Sequence, residues 1–308
     1  MPASSTTPAA PVLCAGVTVA LATPVDRKGR PDPAGIGRLV ERALAGGVVG
    51  ISPLGSTGEG ARLAAAQRLD VLTAVVAAAS GRVPVIAGLP LTAIADAPHE
   101  LERYAEAGAA AALVAPPSYY PADEATLIRT FTTLADVSAI PLVLYNIPVF
   151  TKVSLPAGVV AELAQHDQIL GIKDSSRDLE YLASIAYNTA DFSFDVVTGS
   201  DTLLLASLGV GALGAIAASA NLVPDIGSGI CSAATAGEVD KAASLQRHLF
   251  AIVTACRRGI APAGWKASLE LAGVCSANLV PPAGRLARAE QDAIRADLES
   301  LEPELLAR

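Results

Sequence analysis

The chain has 308 residues, of which 52% are hydrophobic and 17% are charged, and its formal net charge is -8 at pH 7. This hydrophobic content excludes a disordered chain, which buries too little apolar surface to fold. No run of basic residues is longer than two, as at Arg257-Arg258. The sequence therefore lacks the basic stripe of a nucleic-acid-binding protein, and we expect no nucleic-acid partner.

The positions of the cysteines and the composition of the first residues indicate the cellular compartment of the protein. Cys14, Cys231, Cys256 and Cys275 lie far apart, without a C-x-x-C pair. This argues against zinc and redox motifs and favours a reduced, cytoplasmic protein. Residues 1–12 are rich in Pro, Ser, Thr and Ala, and they lack the basic and apolar regions of a signal peptide. We expect a flexible N-terminal segment there.

Short apolar runs alternate with amphipathic segments along the first 235 residues. Continuous rather than alternating hydrophobicity is typical of strands buried on both faces of a parallel sheet. The predicted strands cover 16–21, 48–53, 83–87, 111–114, 141–145, 169–173, 193–197 and 212–216. The predicted helices between them include 33–45, 63–79, 98–107, 124–136, 156–165 and 178–188.

Eight such β-then-α units predict an α/β fold, a (β/α)8 TIM barrel over 13–235, with a C-terminal helical region over 236–308. A doubly wound sheet usually has fewer strands, and no G-x-G-x-x-G follows the first strand. Residues 203–220 form an uncharged run long enough to suggest a transmembrane helix. Because this run changes character at 209–211, we favour a short helix, a glycine turn and a buried strand, and expect no membrane partner.

A glycine-rich loop, G-S-T-G-E-G over 55–60, follows the second predicted strand. Backbone N–H groups before a helix suit a carboxylate or phosphate. The alternative is an ordinary turn that caps the next helix. We expect Glu59 to cap or buttress this loop rather than to act as a base.

Two polar residues end neighbouring apolar strands. Tyr145 closes the fifth predicted strand, and Lys173 closes the sixth. Burial disfavours the charged form of a lysine, and a neutral amine is a nucleophile. The alternatives are a core tyrosine and a lysine that reaches solvent or pairs with Asp174. The two residues lie 28 positions apart, about one β-α repeat, so we expect them to end adjacent strands at the barrel mouth.

Three motifs carry a family resemblance: GSTGE at 55–59, YNIP at 145–148 and GIKDSS at 171–176. In this order and spacing the chain resembles the dihydrodipicolinate synthase / N-acetylneuraminate lyase family. Residues 199–201 and 214–216 also resemble later strand ends of that family. The resemblance implies class I aldolase chemistry without metal or other cofactor. A Schiff base would form between Lys173 and pyruvate or a related 2-oxo acid, and a C–C bond would be made or cleaved with an aldehyde.

The resemblance also implies catalytic roles. Lys173 matches the Schiff-base lysine, and Tyr145 matches a tyrosine that shuttles protons. Thr57 matches a hydroxyl that links this phenol to a second tyrosine, which in the family reaches in from a neighbouring subunit. Tyr119 is the best match for that tyrosine and Tyr120 the second choice. The implied assembly is a homo-oligomer, a tetramer built as a dimer of dimers.

A set of residues is predicted to bind substrate. Ser56 and Thr57 match the pocket for the pyruvate carboxylate, and Ile216 matches a main-chain contact. The remaining members of this predicted set are Phe150, Ser175, Gly199 and Asp201.

One departure bears on the reaction. In the synthase proper, an arginine soon after the YN-x-P motif binds the carboxylate of aspartate semialdehyde; here Phe150 aligns with it, and Lys152 cannot copy its planar fork. We therefore do not expect a true dihydrodipicolinate synthase, and Phe150 predicts a less polar half-site for the aldehyde. Residues 174–176 also differ from the neuraminate lyase pattern. The alternatives are a 2-oxo-3-deoxy sugar-acid dehydratase on the same Schiff-base site and a non-catalytic 2-oxo acid binding protein.

Overall fold

The computed structural model describes residues 13, 15–91 and 94–306, and the predicted segment 1–12 lies outside them. Eight strands form one parallel sheet. They are β1 (Gly16–Ala20), β2 (Gly50–Ser52), β3 (Ile86–Leu89), β4 (Ala111–Val114), β5 (Leu142–Asn146), β6 (Ile169–Asp174), β7 (Asp195–Thr198) and β8 (Gly214–Ala217). Their hydrogen-bonded order is β2-β1-β8-β7-β6-β5-β4-β3.

The two strands at the ends of that order lie beside each other. A parallel bridge joins Ile51 to Val85, and the Ile51 N–H donates to the Pro84 carbonyl at 3.0 Å. The Gly88 N–H also donates to the Pro53 carbonyl at 2.9 Å. The sheet therefore closes on itself, and the predicted TIM barrel is confirmed.

Helices fill the connections of the barrel. They are α1 (Pro33–Ala45), α2 (Ala65–Ala79), α3 (Ala97–Glu106), α4 (Glu124–Val137), α5 (Pro148–Thr151), α6 (Ala157–Leu163), α7 (Leu179–Asn188), α8 (Leu204–Gly209) and α9 (Pro224–Thr235). The sequence did not predict α5, a single turn that directly follows β5 and carries Phe150. The predicted tail contains three longer helices and a short one: α10 (Val239–Cys256), α11 (Ala263–Leu271), α12 (Arg288–Leu301) and α13 (Pro303–Leu306).

The third strand differs most from its predicted bounds, since it begins at Ile86 rather than at residue 83. Pro84 has no N–H to donate to a ladder, and its carbonyl is used by Ile51. On the opposite side the ladder with β4 starts at Ile86, opposite Ala111, and the Ala110 N–H donates to the Val85 carbonyl at 2.8 Å.

Two apolar layers surround the sheet. A smaller cluster, with Ile86, Leu113, Val143 and Ile216 among its members, fills the inside of the barrel. A larger one lies between the strands and the helices. Residues that alternate along each strand supply both layers, so the polar residues near the strand ends are held at fixed positions above a packed interior.

The uncharged run at 203–220 does not form one helix. It contains α8, a turn in which Gly211 has φ of +106°, and then β8. Among the described residues, no helix is both long and apolar enough to cross a membrane. The predicted order of helix, glycine turn and strand is confirmed.

Candidate active site

Lys173 and Tyr145 meet at the carboxyl ends of β6 and β5. They are direct register partners, as the 28-residue spacing predicted. Lys173 Nζ donates a 3.3 Å hydrogen bond to the Tyr145 hydroxyl, and it lies 4.3 Å from the centre of the tyrosine ring. Lys173 is only 5% exposed. The lysine therefore does not extend into solvent, and its amine lies beside a phenol.

The alternative partner of Lys173, Asp174, is engaged elsewhere. Its Oδ1 accepts hydrogen bonds from Asn146 Nδ2 at 2.7 Å and from the Ser176 N–H at 3.1 Å. Its Oδ2 accepts one from Ser176 Oγ at 2.8 Å. Burial raises the pKa of the Asp174 carboxyl above its ordinary value, although these hydrogen bonds oppose the shift. Asp174 thus ties β6 to β5 and leaves the amine of Lys173 to Tyr145.

The glycine-rich loop supplies a hydroxyl to the phenol. Ser56 Oγ lies 3.1 Å from the Tyr145 hydroxyl, and either group can donate. Sequence reasoning gave this link to Thr57, but the structure places the hydrogen bond on Ser56. Thr57 lies next to Ser56 and lines the same cavity. Ser56, Tyr145 and Lys173 therefore form a connected chain of polar groups.

Gly199, at the end of β7, leaves the space that Lys173 occupies. A Cβ at this position would lie 2.8 Å from Lys173 Cε and would overlap the Ser175 hydroxyl. Side chains do not approach this closely, so any larger residue would displace the lysine or the serine. The sequence predicted Gly199 as a substrate contact, and the structure adds a packing requirement.

These residues surround a cavity of about 460 Å³ at the barrel mouth. Its lining contains nine of the predicted site residues: Ser56, Thr57, Tyr145, Phe150, Lys173, Ser175, Gly199, Asp201 and Ile216. A second cavity of about 300 Å³ is lined by Ser56, Tyr145 and Phe150 too, and it extends toward 88–91. The geometry provides an enclosed amine with a proton-transfer partner and adjoining hydroxyl groups.

The comparison with known families decides the class of the protein. A family model described as the dihydrodipicolinate synthetase family matches residues 13–301. The chain belongs to that family. As a dihydrodipicolinate synthetase family member it is an enzyme, a class I aldolase or lyase, as the sequence predicted. The predicted alternative of a non-catalytic binding protein is therefore set aside.

Several relatives span nearly the whole chain. A 4-hydroxy-tetrahydrodipicolinate synthase from Methanosarcina barkeri is 35% identical over 286 residues, which cover 93% of this chain and 98% of the relative. YagE, a prophage protein of the dihydrodipicolinic acid synthase family from E. coli K12 solved in complex with pyruvate, is 30% identical. Its TM-score is 0.89, with 94% of this chain and 98% of that chain covered. A monomeric dihydrodipicolinate synthase variant has a TM-score of 0.88 at 24% identity, over 92% of this chain and 95% of that chain.

Within a single chain, Tyr119 and Tyr120 do not reach the cavity around Lys173. They are 88% and 76% exposed, and their rings pack edge to face with centres 5.0 Å apart. Neither tyrosine is among the residues that line the cavity around Lys173.

The described part of the chain contains no group of three or more His, Cys, Asp or Glu side chains placed to hold a metal ion. Three of the cysteines, Cys231, Cys256 and Cys275, are free and buried. Burial raises the pKa of each thiol, to about 11 for Cys231 and Cys275 and to about 12 for Cys256.

Sequence reasoning missed a buried ion pair behind the glycine-rich loop. Lys266 Nζ, from α11, lies 2.5 Å from Glu59 Oε1, and both side chains are fully buried. Glu59 Oε2 also accepts hydrogen bonds from Arg62 at 2.9 Å and from the Val280 N–H at 3.0 Å. Burial lowers the pKa of Lys266, and Glu59 opposes that shift. Glu59 buttresses the loop, and the C-terminal helices supply its partners.

The C-terminal helical region also reaches the cavity itself. Trp265 of α11 is buried and lines the cavity around Lys173. Arg257 and Arg258 line it as well. In the sequence, these contacts are indicated only by the polar and aromatic residues in and next to the gap between α10 and α11. That signal does not indicate which part of the barrel they meet.

Proposed function

We propose that Lys173 forms a Schiff base with pyruvate or a related 2-oxo acid, and that the enzyme then makes or cleaves a C–C bond with an aldehyde. The observation that supports this most directly is the enclosed amine of Lys173, 3.3 Å from the Tyr145 hydroxyl. A lysine buried without a carboxylate partner is unusual in a protein interior. YagE, which was solved with pyruvate, is a 30% identical relative of the same family.

The chemistry follows from these groups. Nζ attacks the ketone carbon, and its proton passes to the ketone oxygen. A second proton, delivered to that hydroxyl, lets it leave as water and gives an iminium. The iminium withdraws electrons, so the adjacent carbon loses a proton and becomes an enamine. The enamine carbon attacks the aldehyde carbon, whose oxygen takes a proton, and water then hydrolyses the iminium to restore the amine. Cleavage is the reverse sequence.

Tyr145 is placed to move these protons. Its hydroxyl accepts a hydrogen bond from Lys173 Nζ and adjoins Ser56 Oγ. General acid–base help of this kind contributes about 10²–10⁴-fold to a rate. Ser56 and Thr57, with their backbone N–H groups, are proposed to hold the carboxylate of the 2-oxo acid. That contact would fix the position of the ketone relative to Nζ.

We propose an acceptor other than aspartate semialdehyde, although curated relatives carry the synthase name. Phe150, in the place of the arginine, is 52% exposed and lines the cavity. The nearby Lys152 Nζ donates to the carbonyl of Val149 at 2.8 Å, and Lys152 is not among the lining residues. Neither side chain offers a planar bidentate donor for a carboxylate at this position.

Borohydride reduction in the presence of pyruvate tests the Schiff base. We expect mass spectrometry to find one reduced adduct on Lys173, absent in Lys173→Ala and retained in the control Lys152→Ala. The absence of any adduct would refute the proposal.

Analysis of the products distinguishes an aldolase from a dehydratase. An aldolase releases pyruvate from a 2-oxo-3-deoxy sugar acid, whereas a dehydratase gives a longer 2-oxo acid. Efficient condensation of pyruvate with aspartate semialdehyde would refute the proposed change of acceptor.

We also propose that Tyr119 completes the site of a neighbouring subunit in a homotetramer. The support is its exposure within one chain and the position of its segment after β4.

A cytoplasmic location stays a prediction, supported by the three free buried cysteines.

A further inference from the structure

The cavity around Lys173 is strongly cationic at one end. Besides Lys173 it is lined by Arg177, Arg257 and Arg258, whereas Asp201 is the only carboxylate among its described lining residues. Three arginines and one aspartate therefore line the cavity, in a chain whose formal net charge is -8. An excess of positive charge in a concave, partly desolvated site attracts anions.

The three arginines differ in how they are paired. Arg258 has an ion pair with Asp297 at 2.6 Å. Arg257 lies 3.7 Å from Asp201 Oδ2, while the other oxygen of Asp201 accepts the Ser219 N–H at 2.8 Å. Arg177 contacts no carboxylate, and its guanidinium makes no hydrogen bond to any part of the chain that the structure describes. Arg177 is exposed and lines the cavity, so its donors are available to a ligand at the rim.

Arg177 and Arg257 are close enough to influence each other. Burial lowers the pKa of Arg257, Asp201 opposes that shift, and the positive charge of Arg177 lowers it further. Two guanidinium groups that repel each other are stabilised by an anion bound between them. Asp201 supplies one negative charge, 3.7 Å from Arg257, against the two positive charges.

The backbone at Arg177 adds a second observation. Its φ is +67°, a left-handed conformation that glycine adopts freely and that strains residues with a Cβ. Arg177 directly precedes Asp178, whose side chain caps α7 by accepting a hydrogen bond from the Tyr181 N–H. A long cationic side chain is thus present at the rim of the cavity, at a backbone position that would suit glycine.

We propose that Arg177 and Arg257 bind an anionic group, a carboxylate or a phosphate, at the end of the substrate remote from the carbon that bonds to Lys173. This inference rests on the proposed function and specifies its substrate class. The carboxylate beside the ketone is assigned to Ser56 and Thr57, so the substrate would carry negative charge at both ends.

The shape of the cavity is consistent with such a molecule. A volume of about 460 Å³ exceeds what a three-carbon acid fills and falls in the usual range of small-molecule sites. Phe150 lines the cavity as well, and its ring offers an apolar contact for the middle of the chain. The family's arginine is absent from that position, so the anion would be bound by residues of the loop after β6 and of the segment after α10.

Reductive trapping with cyanoborohydride tests this, because it reports Schiff-base formation whether or not turnover follows. One pair of probes is 2-oxoglutarate and 2-oxopentanoate, which differ in a distal carboxylate. The other is 2-oxo-3-deoxy-6-phosphogluconate and 2-oxo-3-deoxygluconate, which differ in a phosphate. In at least one pair, we expect the member with the additional distal anion to be trapped at a roughly tenfold lower half-saturating concentration, the effect of about one charge-assisted hydrogen bond.

Arg177→Gly and Arg177→Gln should remove that tenfold difference and leave trapping of pyruvate unchanged. Glycine suits the backbone at this position, so the variant is expected to fold. Arg288→Gln, at an exposed arginine of α12, is the control and should keep the difference. The pair whose members differ in half-saturating concentration shows whether the bound anion is a carboxylate or a phosphate.

Equal trapping of both members of each pair by the wild type would overturn the proposal, as would a difference that survives in both Arg177 variants. Failure of all four longer acids to be trapped while pyruvate reacts would overturn it too, and would leave the proposed function standing. If pyruvate itself forms no adduct on Lys173, the proposed function fails and this inference fails with it.

Discussion

Asn146 Nδ2 donates a 2.7 Å hydrogen bond to Asp174 Oδ1, and the two residues are register partners one step beyond Tyr145 and Lys173. The amide oxygen of Asn146 also accepts the Leu155 N–H at 3.1 Å. The side-chain contact therefore holds the ends of β5 and β6 together at the point where the phenol meets the amine.

The Asp174 carboxyl predicts a specific dependence of stability on pH. Burial raises its pKa above 3.8 in the folded state. Stability linked to such a group is fully present below the unfolded value and declines as pH rises through the folded value. We expect Asp174→Asn, which keeps the shape and the acceptor oxygen, to gain stability relative to the wild type as the pH rises above 3.8. Urea unfolding at a series of pH values above 3.8 measures this, with the exposed Asp191→Asn as control. Wild-type and Asp174→Asn stabilities that change in parallel with pH would contradict the idea.

The phenol of Tyr145 is expected to carry proton transfer. Tyr145→Phe keeps the ring near Lys173 Nζ but removes the hydroxyl, so turnover should fall by about 10²–10⁴-fold. Ser56→Ala should give a smaller loss, because it removes only the neighbour of that hydroxyl. The control is Tyr187→Phe at an exposed tyrosine. Single-turnover kinetics with borohydride quenching would measure the step, and unaltered rates in Tyr145→Phe would reject the assignment.

The barrel and the pairing of Tyr145 with Lys173 could be predicted from the sequence because both depend on regular, local patterns. Each strand is a short apolar run, and one β-α repeat separates the two residues. The third strand was placed too early because its start depends on where its ladder with β4 begins, at Ile86 opposite Ala111. Periodicity within one segment does not contain that information.

Other features of the site depend on contacts that cannot be predicted from the order of residues along the chain. Ser56 and Thr57 are adjacent hydroxyls on a loop, and only the folded backbone decides which one meets the phenol. Lys266 and Glu59 are more than 200 positions apart, and they meet because α11 packs behind the loop. Arg177 was overlooked because its role depends on the cavity it shares with Arg257.

Gly199 is expected to be intolerant of substitution. In Gly199→Ala, the new Cβ would lie 2.8 Å from Lys173 Cε, so the amine must shift. Displacement of a reacting group by about 1 Å can cost 10²-fold in rate. The control is Gly158→Ala in α6, where no atom lies within 4 Å of the new Cβ. We expect the rate of pyruvate trapping to fall by about that factor in Gly199→Ala and to be unchanged in the control; equal rates would show that Lys173 tolerates the methyl group.

The proposed role of Tyr119 predicts complementation between subunits. Tyr119→Phe should lower activity about tenfold or more, since a proton-transfer hydroxyl is lost, and Tyr120→Phe should have little effect. If Tyr119 acts in the neighbouring site, mixed assemblies of Tyr119→Phe and Lys173→Ala subunits should regain activity, because some sites combine the intact residues. Sedimentation analysis fixes the assembly state. A monomer with full turnover would exclude this role.

The buried pair of Lys266 and Glu59 is expected to stabilise both the fold and the loop that carries Ser56. Removing Lys266 leaves the buried Glu59 carboxylate with the partly exposed Arg62 as its remaining cation, and breaking a buried ion pair costs about 3–5 kcal/mol. Lys266→Met should lower the free energy of unfolding by that amount and raise the pyruvate concentration needed for half-maximal trapping. The control is Lys241→Met, whose exposed contact with Glu238 at 2.7 Å is worth about 0–1 kcal/mol.

The double variant Glu59→Gln, Lys266→Met removes both charges and should recover part of the lost stability, since no uncompensated ion remains in the interior. Urea unfolding of the wild type, the two single variants and the double variant completes the cycle. If Lys266→Met cost no more than the exposed control, or if the double variant lost the full sum of the single losses, the two charges would not be coupled. The coupling expected here is what allows the C-terminal helices to hold a loop of the barrel mouth in place.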